Sequence, residues 1–295
     1  MTGSRTGSAR TYGAITVTNA LPTGIGCAAG VELPVSATVT IAAGGTENQA
    51  TLRIPEAVRS PLVEGSLQAG LSAFVPDRDA SATLDLRSEV PVARGLKSSS
   101  AVSTAILLAT ARLARRPVDP VEIGRLSAEV GRRVGVSATG ALDDALAGLG
   151  PGFVVTDNLH DELLRRTEID PSWGVVLYIP LRPHPPSPEL RDSFRTSRAQ
   201  GEHAARAALD GNWPLAMRLN TELVERTMGY SYQPLRERLL REGAVACGVS
   251  GLGPTLAAIA PTGKLPQLLR ELPQDDAERM LVPFVRVSPM EVPPA

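Results

Sequence analysis

The chain has 295 residues, with 43% hydrophobic and 21% charged residues and a formal net charge of −1, which describes an ordinary globular protein with room for two domains. The balanced charge and the 3% aromatic content exclude a basic or stacking surface for nucleic acid and a polybasic membrane anchor, and no apolar run is long enough to span a bilayer. Cys27 and Cys247 lack CxxC spacing and companion histidines, so we expect neither zinc nor a disulfide, and a reduced, cytoplasmic setting.

Alternating apolar and small polar residues predict short strands in the first half of the chain. We expect strands over 12–17 and 35–41, a turn at Gly44 and Gly45, a strand over 52–54 that pairs back, and a strand over 83–89. Apolar residues at helical spacing predict helices over 61–73, 100–115, 121–134 and 142–147.

The second half begins with a buried strand in GVVLYIP, which follows Trp173. A cluster of prolines then rules out a central strand, and Ser187 followed by Pro188 is typical of a helix start. Helices are predicted over 188–209, 214–228 and 233–242, and strands over 256–260 and 282–287. This order predicts an α+β sandwich in each half, with domains over 1–165 and 166–295.

The stretch PVARGLKSSSAVSTA, residues 91–105, combines a turn, a lysine and three serines directly before an apolar helix. The residues that could bind a ligand are Pro91, Gly95, Leu96, Lys97, Ser98, Ser99 and Ser100. Backbone N–H groups are unpaired at a helix N-terminus, where the helix dipole also favours an anion. The stretch therefore predicts a nucleotide-phosphate site, although it is not the G-x-x-x-x-G-K-[ST] loop. The alternative is a serine-capped helix.

Two adjacent acids, Asp143 and Asp144, begin a helix after a small-residue turn in GVSATGALDDALAGLGPG, residues 135–152. They could serve only as N-terminal acids that favour the helix dipole. A carboxylate here could instead orient an acceptor hydroxyl and take its proton during phosphoryl transfer. Adjacent helical residues point about 100° apart, so we expect only one of the two to face the site.

Glycine-rich turns occur in two further segments. The segment GVSGLGPTLAAIA, residues 248–260, contains Ser250, Gly251 and Gly253 in a turn whose N–H groups can reach a phosphate or a carboxylate. The segment GAITVTNALPTGIGCAAGVEL, residues 13–33, carries Asn19 and Thr23 among several glycines. Plain turns and hairpins contain the same glycines.

These segments together resemble the motifs of one enzyme superfamily. The order P-x-x-x-G-L-x-S-S from Pro91 resembles the second motif of the GHMP small-molecule kinases, and Lys97 with the triple serine is most similar to their archaeal-type shikimate kinases. The resemblance extends over 13–260, although Leu252 stands where the family often has threonine. It implies an α+β GHMP kinase fold, with an N-terminal domain similar to ribosomal protein S5 domain 2 and a ferredoxin-like C-terminal domain. ATP and acceptor would meet in the cleft between them.

The resemblance also implies a role for each candidate residue. Residues 91–100 would bind ATP, with Lys97 neutralising phosphate charge and Ser99 ligating Mg²⁺. Asp143 would be catalytic, and the acceptor shikimate, a precursor of the aromatic amino acids, would contact Asn19, Thr23, Asp143, Ser250, Gly251 and Gly253. Glu129 would be a second magnesium ligand, although a salt bridge to Arg133 explains it equally well. The oligomeric state is not predicted.

Several alternatives remain open. Arg191, Arg195 and Arg198 recur at helical spacing and form either a solvated stripe or a group in which one arginine clamps the shikimate carboxylate. The acceptor could instead be homoserine, mevalonate or a related cyclitol, against which the lysine and triple serine argue. A non-catalytic sensor with the same fold is a further alternative, against which Asp143 and the serine loop argue.

Overall fold

Two sheets, one in each half of the chain, organise the fold. The computed structural model describes residues 4–41, 52–75, 81–181, 192–194 and 196–290. Within these residues the first sheet contains β1 (Arg5–Thr18), β2 (Ile25–Ile41), β3 (Leu52–Arg53), β4 (Ala82–Ser88), β5 (Phe153–Asp157) and β6 (Glu162–Thr167). The long strand β2 pairs with β1 on one edge and with β4 and β5, one after the other, on the other edge.

Among the described residues, four α-helices accompany this sheet in the first half of the chain. They are α1 (Pro61–Phe74), α2 (Ser98–Leu113), α3 (Pro120–Arg133) and α4 (Leu142–Gly148). The Ser60 hydroxyl caps α1 and the Asp119 carboxylate caps α3, each with a proline at the start of the helix. The helix α2 approaches β1 so closely that a Cβ on Gly7 would lie 2.2 Å from the Ala109 carbonyl oxygen.

The second sheet has the ferredoxin-like strand order. It contains β7 (Trp173–Pro180), β8 (Ala246–Val249), β9 (Leu256–Pro261) and β10 (Ala277–Pro283), antiparallel in the order β10-β7-β9-β8. The helices that accompany it are α5 (Arg198–Leu209), α6 (Trp213–Met228), α7 (Gln233–Arg241) and α8 (Leu265–Arg270). Helices separate the first strand from the second and the third from the fourth, which gives the β-α-β-β-α-β pattern.

One apolar core contains side chains from both halves. Ile15 of β1 and Phe153 of β5 share it with Val175 of β7 and Met217 of α6. The Phe153 ring stacks on Trp213 with ring centroids 4.6 Å apart. Because burying apolar surface is the main stabilising force in folding, this shared core holds the two halves together and creates a cleft between their loops.

The observed elements confirm the α+β class and correct three details of the sequence predictions. The segment predicted to pair back over 52–54 is instead a two-residue strand parallel to β4, because β4 already occupies that edge of β2. The last strand is Ala277–Pro283 rather than 282–287. The β5–β6 hairpin, β8 and α8 were not predicted, since their apolar residues have no clear period.

The predicted start of a helix at Pro188 lies outside the described residues, as do Arg191 and Arg195. The first sheet ends at Thr167 and the second begins at Trp173, and the division at 165 and 166 stays a prediction. No helix in the described part of the chain has both the length and the apolar character needed to cross a bilayer.

Candidate active site

The loop before α2 lies directly against the loop between β8 and β9. The Ser250 hydroxyl donates a hydrogen bond to the Gly95 carbonyl at 2.7 Å. A Cβ on Gly95 would lie 2.1 Å from the Ser250 carbonyl oxygen, and the Gly95 φ of 81° is in the left-handed region, so only glycine suits this position. The two loops predicted to bind ligands therefore border the same cleft, one from each half.

The N-terminus of α2 presents free backbone donors. Lys97 is the N-cap residue, with a left-handed φ of 65°, and no side chain caps the helix. The backbone N–H groups of Ser98, Ser99 and Ser100 find no acceptor among the described residues. Free donors at the positive end of a 16-residue helix form a site for an anion such as a phosphate.

The Lys97 side chain turns away from this helix end toward α4. Its Nζ lies 3.1 Å from Asp144 Oδ2, and both side chains are at most 15% exposed. The other oxygen, Asp144 Oδ1, is buried without a hydrogen-bond partner in the described structure. The ion pair thus joins the start of α2 to the start of α4 and leaves the other carboxylate oxygen buried without a hydrogen-bond partner.

Asp143 is held by a separate set of contacts. It is 4% exposed, and its Oδ1 accepts a hydrogen bond from Asn158 Nδ2 at 2.9 Å. Asn158 Oδ1 in turn accepts hydrogen bonds from the Leu142 backbone N–H and the Thr156 hydroxyl. A Cβ on Gly26 would lie 2.5 Å from Asp143 Oδ2. Asn158 therefore orients the carboxylate, and the missing side chain of Gly26 gives it space.

Burial and charge shift the pKa values of this cluster. Burial raises the pKa of Asp143, against the charge of Lys97 and the hydrogen bonds from Asn158 and the backbone at the start of α4. Burial also raises the pKa of Asp144 to about 7, with Lys97 lowering it and the Asp143 charge raising it. Burial and the Asp143 charge raise the pKa of the Cys27 thiol, which is therefore neutral and unsuited to nucleophilic chemistry.

The two acids, the lysine and the glycine loop surround a cavity of about 190 Å³. Its lining residues are Asn19, Ala20, Leu21, Lys97, Val136, Ser137, Ala138, Thr139, Ala141, Asp143, Asp144, Gly251 and Leu252. Four of the predicted site residues, Asn19, Lys97, Asp143 and Gly251, meet here although they are distant in sequence. Both carboxyl groups of the adjacent pair line the cavity, although we expected only one to face the site.

Three other predicted substrate residues lie elsewhere. Ser250 is fully buried, and its hydroxyl accepts from the Thr16 N–H at 3.0 Å while donating to Gly95. Gly253 packs against the ring of Tyr230. Thr23 lines a neighbouring groove of about 280 Å³, which shares several residues with the cavity and also contains Arg198. The structure thus gives Ser250 and Gly253 a place in the loop itself rather than in the cavity wall.

Glu129 is not brought to the cavity. Its side chain is 65% exposed, 3.9 Å from Arg133, in an outer groove of α3. Across the described part of the chain, no group of three or more His, Cys, Asp or Glu side chains is arranged to hold a metal ion. A magnesium site at the α2 loop would therefore use a hydroxyl and a carboxylate from the cavity together with groups from a ligand.

Two buried asparagines were missed by the sequence analysis. Asn158 orients Asp143, and Asn220 of α6 contacts Asn19. Asn220 had a detectable signal, because it lies on the buried stripe of α6 beside Thr221, where apolar residues are expected. A polar residue buried in a helix must find a hydrogen-bond partner. Asn158 follows a strand in a polar turn and had no comparable signal.

The fold and this site define a GHMP kinase. The family model described as the GHMP kinases N terminal domain matches residues 62–150, which include the α2 loop and both aspartates. The solved structure of Lactococcus lactis galactokinase complexed with galactose superposes with a TM-score of 0.74 at 12% identity, covering 96% of this chain and 94% of that chain. The overall GHMP kinase fold predicted from the motifs is confirmed.

Curated relatives show to which family of GHMP kinases the chain belongs. A shikimate kinase of Pyrococcus abyssi is 36% identical over 256 residues, covering 86% of this chain and 91% of that protein. A shikimate kinase of Methanocella arvoryzae is 34% identical over 259 residues, covering 84% and 82%. The chain belongs to the archaeal-type shikimate kinase family of the GHMP superfamily, as the lysine and triple serine predicted.

Gly26→Ala tests the space left for Asp143. The new Cβ would lie about 2.5 Å from the carboxylate, so Asp143 or α4 must shift. If Asp143 has the catalytic role that the sequence predicts, a displacement of about 1 Å can reduce turnover by about a hundredfold. We expect a loss of this order in steady-state kinase assays. Gly263→Ala is the control, because no described atom lies within 4 Å of its Cβ position. Equal turnover in both variants would contradict the role of Gly26.

The raised pKa of Asp144 predicts a pH dependence of stability. Between about pH 4, where the unfolded chain releases this proton, and about pH 7, where the folded protein releases it, the folded state binds more protons. The free energy of unfolding therefore falls through this carboxyl as pH rises over that range. Urea unfolding of the ligand-free protein should show that the free energy of unfolding falls less over this pH range in Asp144→Asn than in the unchanged protein. Asp85→Asn, at an exposed position, is the control and should show the same decrease in the free energy of unfolding as the unchanged protein. The same decrease in Asp144→Asn would refute the raised pKa of Asp144.

Proposed function

We propose that this kinase transfers the γ-phosphoryl group of ATP to a ring hydroxyl of shikimate, forming shikimate 3-phosphate and ADP. The observation that carries the proposal is the cavity in which Lys97, Asp143 and Asp144 meet beside the free N-terminus of α2. The curated shikimate kinase relatives supply the identity of the acceptor. Both cysteines are free and buried, in agreement with the reducing cytoplasm in which we place the reaction.

The α2 loop is the side of the site that receives ATP. The three free N–H groups at Ser98, Ser99 and Ser100 suit phosphate oxygens, which need donors close to the backbone. The Lys97 side chain, which begins at the N-cap of this helix, lines the cavity and places its ammonium 3.1 Å from Asp144 Oδ2. We assign to it the neutralisation of charge on the phosphoryl group in transfer, because a positive group placed there in advance needs no reorganisation during the reaction.

The cavity is the side that receives the acceptor, with Asp143 as its base. Asp144 Oδ2 is paired with Lys97, whereas Asp143 is oriented by the neutral amide of Asn158. Asp143 Oδ2 is therefore the carboxylate oxygen that we assign to accept the proton of the attacking hydroxyl. Its raised pKa brings it closer to the working pH, where a general base is most effective.

Mg²⁺ would accompany ATP, and the described residues offer a small donor set that fits it. Mg²⁺ prefers oxygen ligands and is commonly held by one or two carboxylates together with phosphates and water. The hydroxyl of Ser99, a partly exposed residue, and the buried, unpartnered Oδ1 of Asp144 are the donors that we assign to it. When bound, the ion would neutralise phosphate charge. Glu129 lies in a different groove.

Arg198 is the described member of the arginine stripe that lines the groove beside the cavity. Only its Nε is hydrogen-bonded among the described residues, to Glu202 at 2.8 Å. Its two Nη groups can bind both oxygens of a carboxylate, a geometry that suits guanidinium. The groove shares Ala20, Leu21, Ala138 and Thr139 with the cavity. We propose that an acceptor with its hydroxyl at Asp143 directs its carboxylate toward Arg198.

The acceptor assignment predicts that shikimate reacts faster than its uncharged methyl ester. Losing a charge-assisted hydrogen bond costs about 1.5–3 kcal/mol, roughly ten- to a hundredfold in kcat/KM. In a coupled assay of ADP release, Arg198→Met should lower kcat/KM for the acid and leave that for the ester unchanged. Arg206→Met, on the same helix but outside both pockets, is the control. Equal rates with the acid and the ester would contradict recognition of the carboxylate. A faster reaction with homoserine would contradict shikimate as the acceptor but not the assignment as a kinase.

Asp143→Asn should nearly abolish turnover while ATP still binds. The change keeps the size of the side chain and removes the group that takes the proton, and general-base catalysis commonly contributes about a hundred- to ten-thousandfold. Single-turnover kinetics and calorimetric titration with ATP would measure the two effects. A larger loss of turnover in Asp144→Asn than in Asp143→Asn would exchange the two assignments.

A further inference from the structure

Asn19, at the end of β1, is held by groups from two other segments. Its Nδ2 donates to the Gly251 carbonyl at 2.9 Å and to Asn220 Oδ1 at 3.1 Å. Its backbone N–H donates to the same Asn220 oxygen at 2.9 Å. Asn19 is 8% exposed and Asn220 is 2% exposed. The amide of Asn19 is therefore fixed by α6 on one side and by the β8–β9 loop on the other.

Chemistry alone determines which way both amides point. The Gly251 carbonyl can only accept a hydrogen bond, so the NH₂ group of Asn19 must face it. The Asn19 backbone N–H can only donate, so the oxygen of Asn220 must face it. Neither amide can be rotated by half a turn without placing two donors or two acceptors against each other.

The side-chain oxygen of Asn19 is the part of this amide that a ligand can contact. No donor within the described structure reaches Asn19 Oδ1, and this atom is not among those sealed from solvent. Asn19 lines the same cavity as Asp143 and Asp144. This part of the wall therefore presents hydrogen-bond acceptors, which favour a ligand rich in hydroxyl groups over one that presents carbonyl or phosphate oxygens.

We infer that Asn220 is a positioning residue for acceptor specificity. It locks the amide of Asn19 so that Oδ1 accepts a hydrogen bond from a hydroxyl of the acceptor other than the one that is phosphorylated. The inference rests on the proposed function for the identity of that acceptor. Asn220 Nδ2 is itself buried without a partner, which costs stability, so burial of this side chain is not explained by folding alone.

The test compares shikimate with the monodeoxy analogues that keep the phosphorylated hydroxyl. In the unchanged protein, one analogue should lose about tenfold in kcat/KM, the effect of one hydrogen bond. In Asn220→Leu, kcat/KM for shikimate should fall by a similar factor, while kcat/KM for that analogue should not change. The protein would then no longer discriminate between shikimate and this analogue. The KM for ATP should not change. Asn220→Asp keeps an oxygen for both donors of Asn19 and should restore much of the discrimination.

Thr221→Val is the matched control. Thr221 is the adjacent buried residue of α6, and its hydroxyl accepts from the Val249 N–H at 3.0 Å rather than from Asn19. We expect lower stability with unchanged discrimination between shikimate and its analogues. If Asn220→Leu lowered kcat/KM equally for shikimate and every analogue, or changed none of them, the positioning role would be refuted.

A second readout does not depend on the acceptor. The side-chain NH₂ protons of Asn19 should exchange slowly with solvent in the unchanged protein and much faster in Asn220→Leu, as measured by NMR. Fast exchange in both would overturn the locking of Asn19. If the unchanged protein did not phosphorylate shikimate at all, the proposed function would fail while this exchange measurement still decided whether Asn220 fixes the amide.

Discussion

The interaction on which this site depends is the approach of one ammonium, Lys97 Nζ, to a buried pair of adjacent carboxyl groups. Removing two carboxylates from water is costly unless a positive charge and hydrogen bonds compensate for it. Lys97 compensates Asp144 directly at 3.1 Å, and Asn158 with the backbone at the start of α4 compensates Asp143. The ion pair joins the N-terminal ends of α2 and α4, which contribute one partner each.

The same arrangement divides the site by polarity. Donors dominate at the N-terminus of α2, where three N–H groups and the nearby ammonium suit the oxygens of a polyphosphate. Acceptors dominate in the cavity, where the Asp143 carboxylate and the Asn19 oxygen suit hydroxyl groups. A phosphoryl group would move from the donor side to the acceptor side. This difference in polarity therefore helps to orient both reactants, in addition to the contact proposed between the acceptor carboxylate and Arg198.

Neither half of the chain could form this site alone. The Ser250 hydroxyl links the β8–β9 loop to both Gly95 and Thr16 of the first half. The hydroxyl groups of Tyr230 and Tyr232 support the same loop through the carbonyls of Leu252 and Pro254. Because these contacts lie above a core shared by both sheets, a change in the packing of the halves would move Gly251 and Asn220 relative to Asp143.

Most of the elements and motifs of this protein are determined locally. Capping residues and apolar periods predict α1, α3 and α6 within a few residues, because these helix starts are decided by neighbours in sequence. The phosphate loop and the acid pair are equally local, and their resemblance to GHMP motifs leads to the correct superfamily and family. The β5–β6 hairpin was not predicted, because the apolar residues of its short strands have no clear period.

Only the tertiary structure decided which side chains work together. Helical geometry predicts that the side chains of Asp143 and Asp144 point in different directions. The packing of α4 decides that both residues line the cavity and that Asp144 pairs with Lys97. The same packing keeps the Ser250 hydroxyl inside the protein. Asn220 meets Asn19 across 201 positions of sequence, a contact that no local pattern encodes, because it depends on how two sheets and their helices share one core.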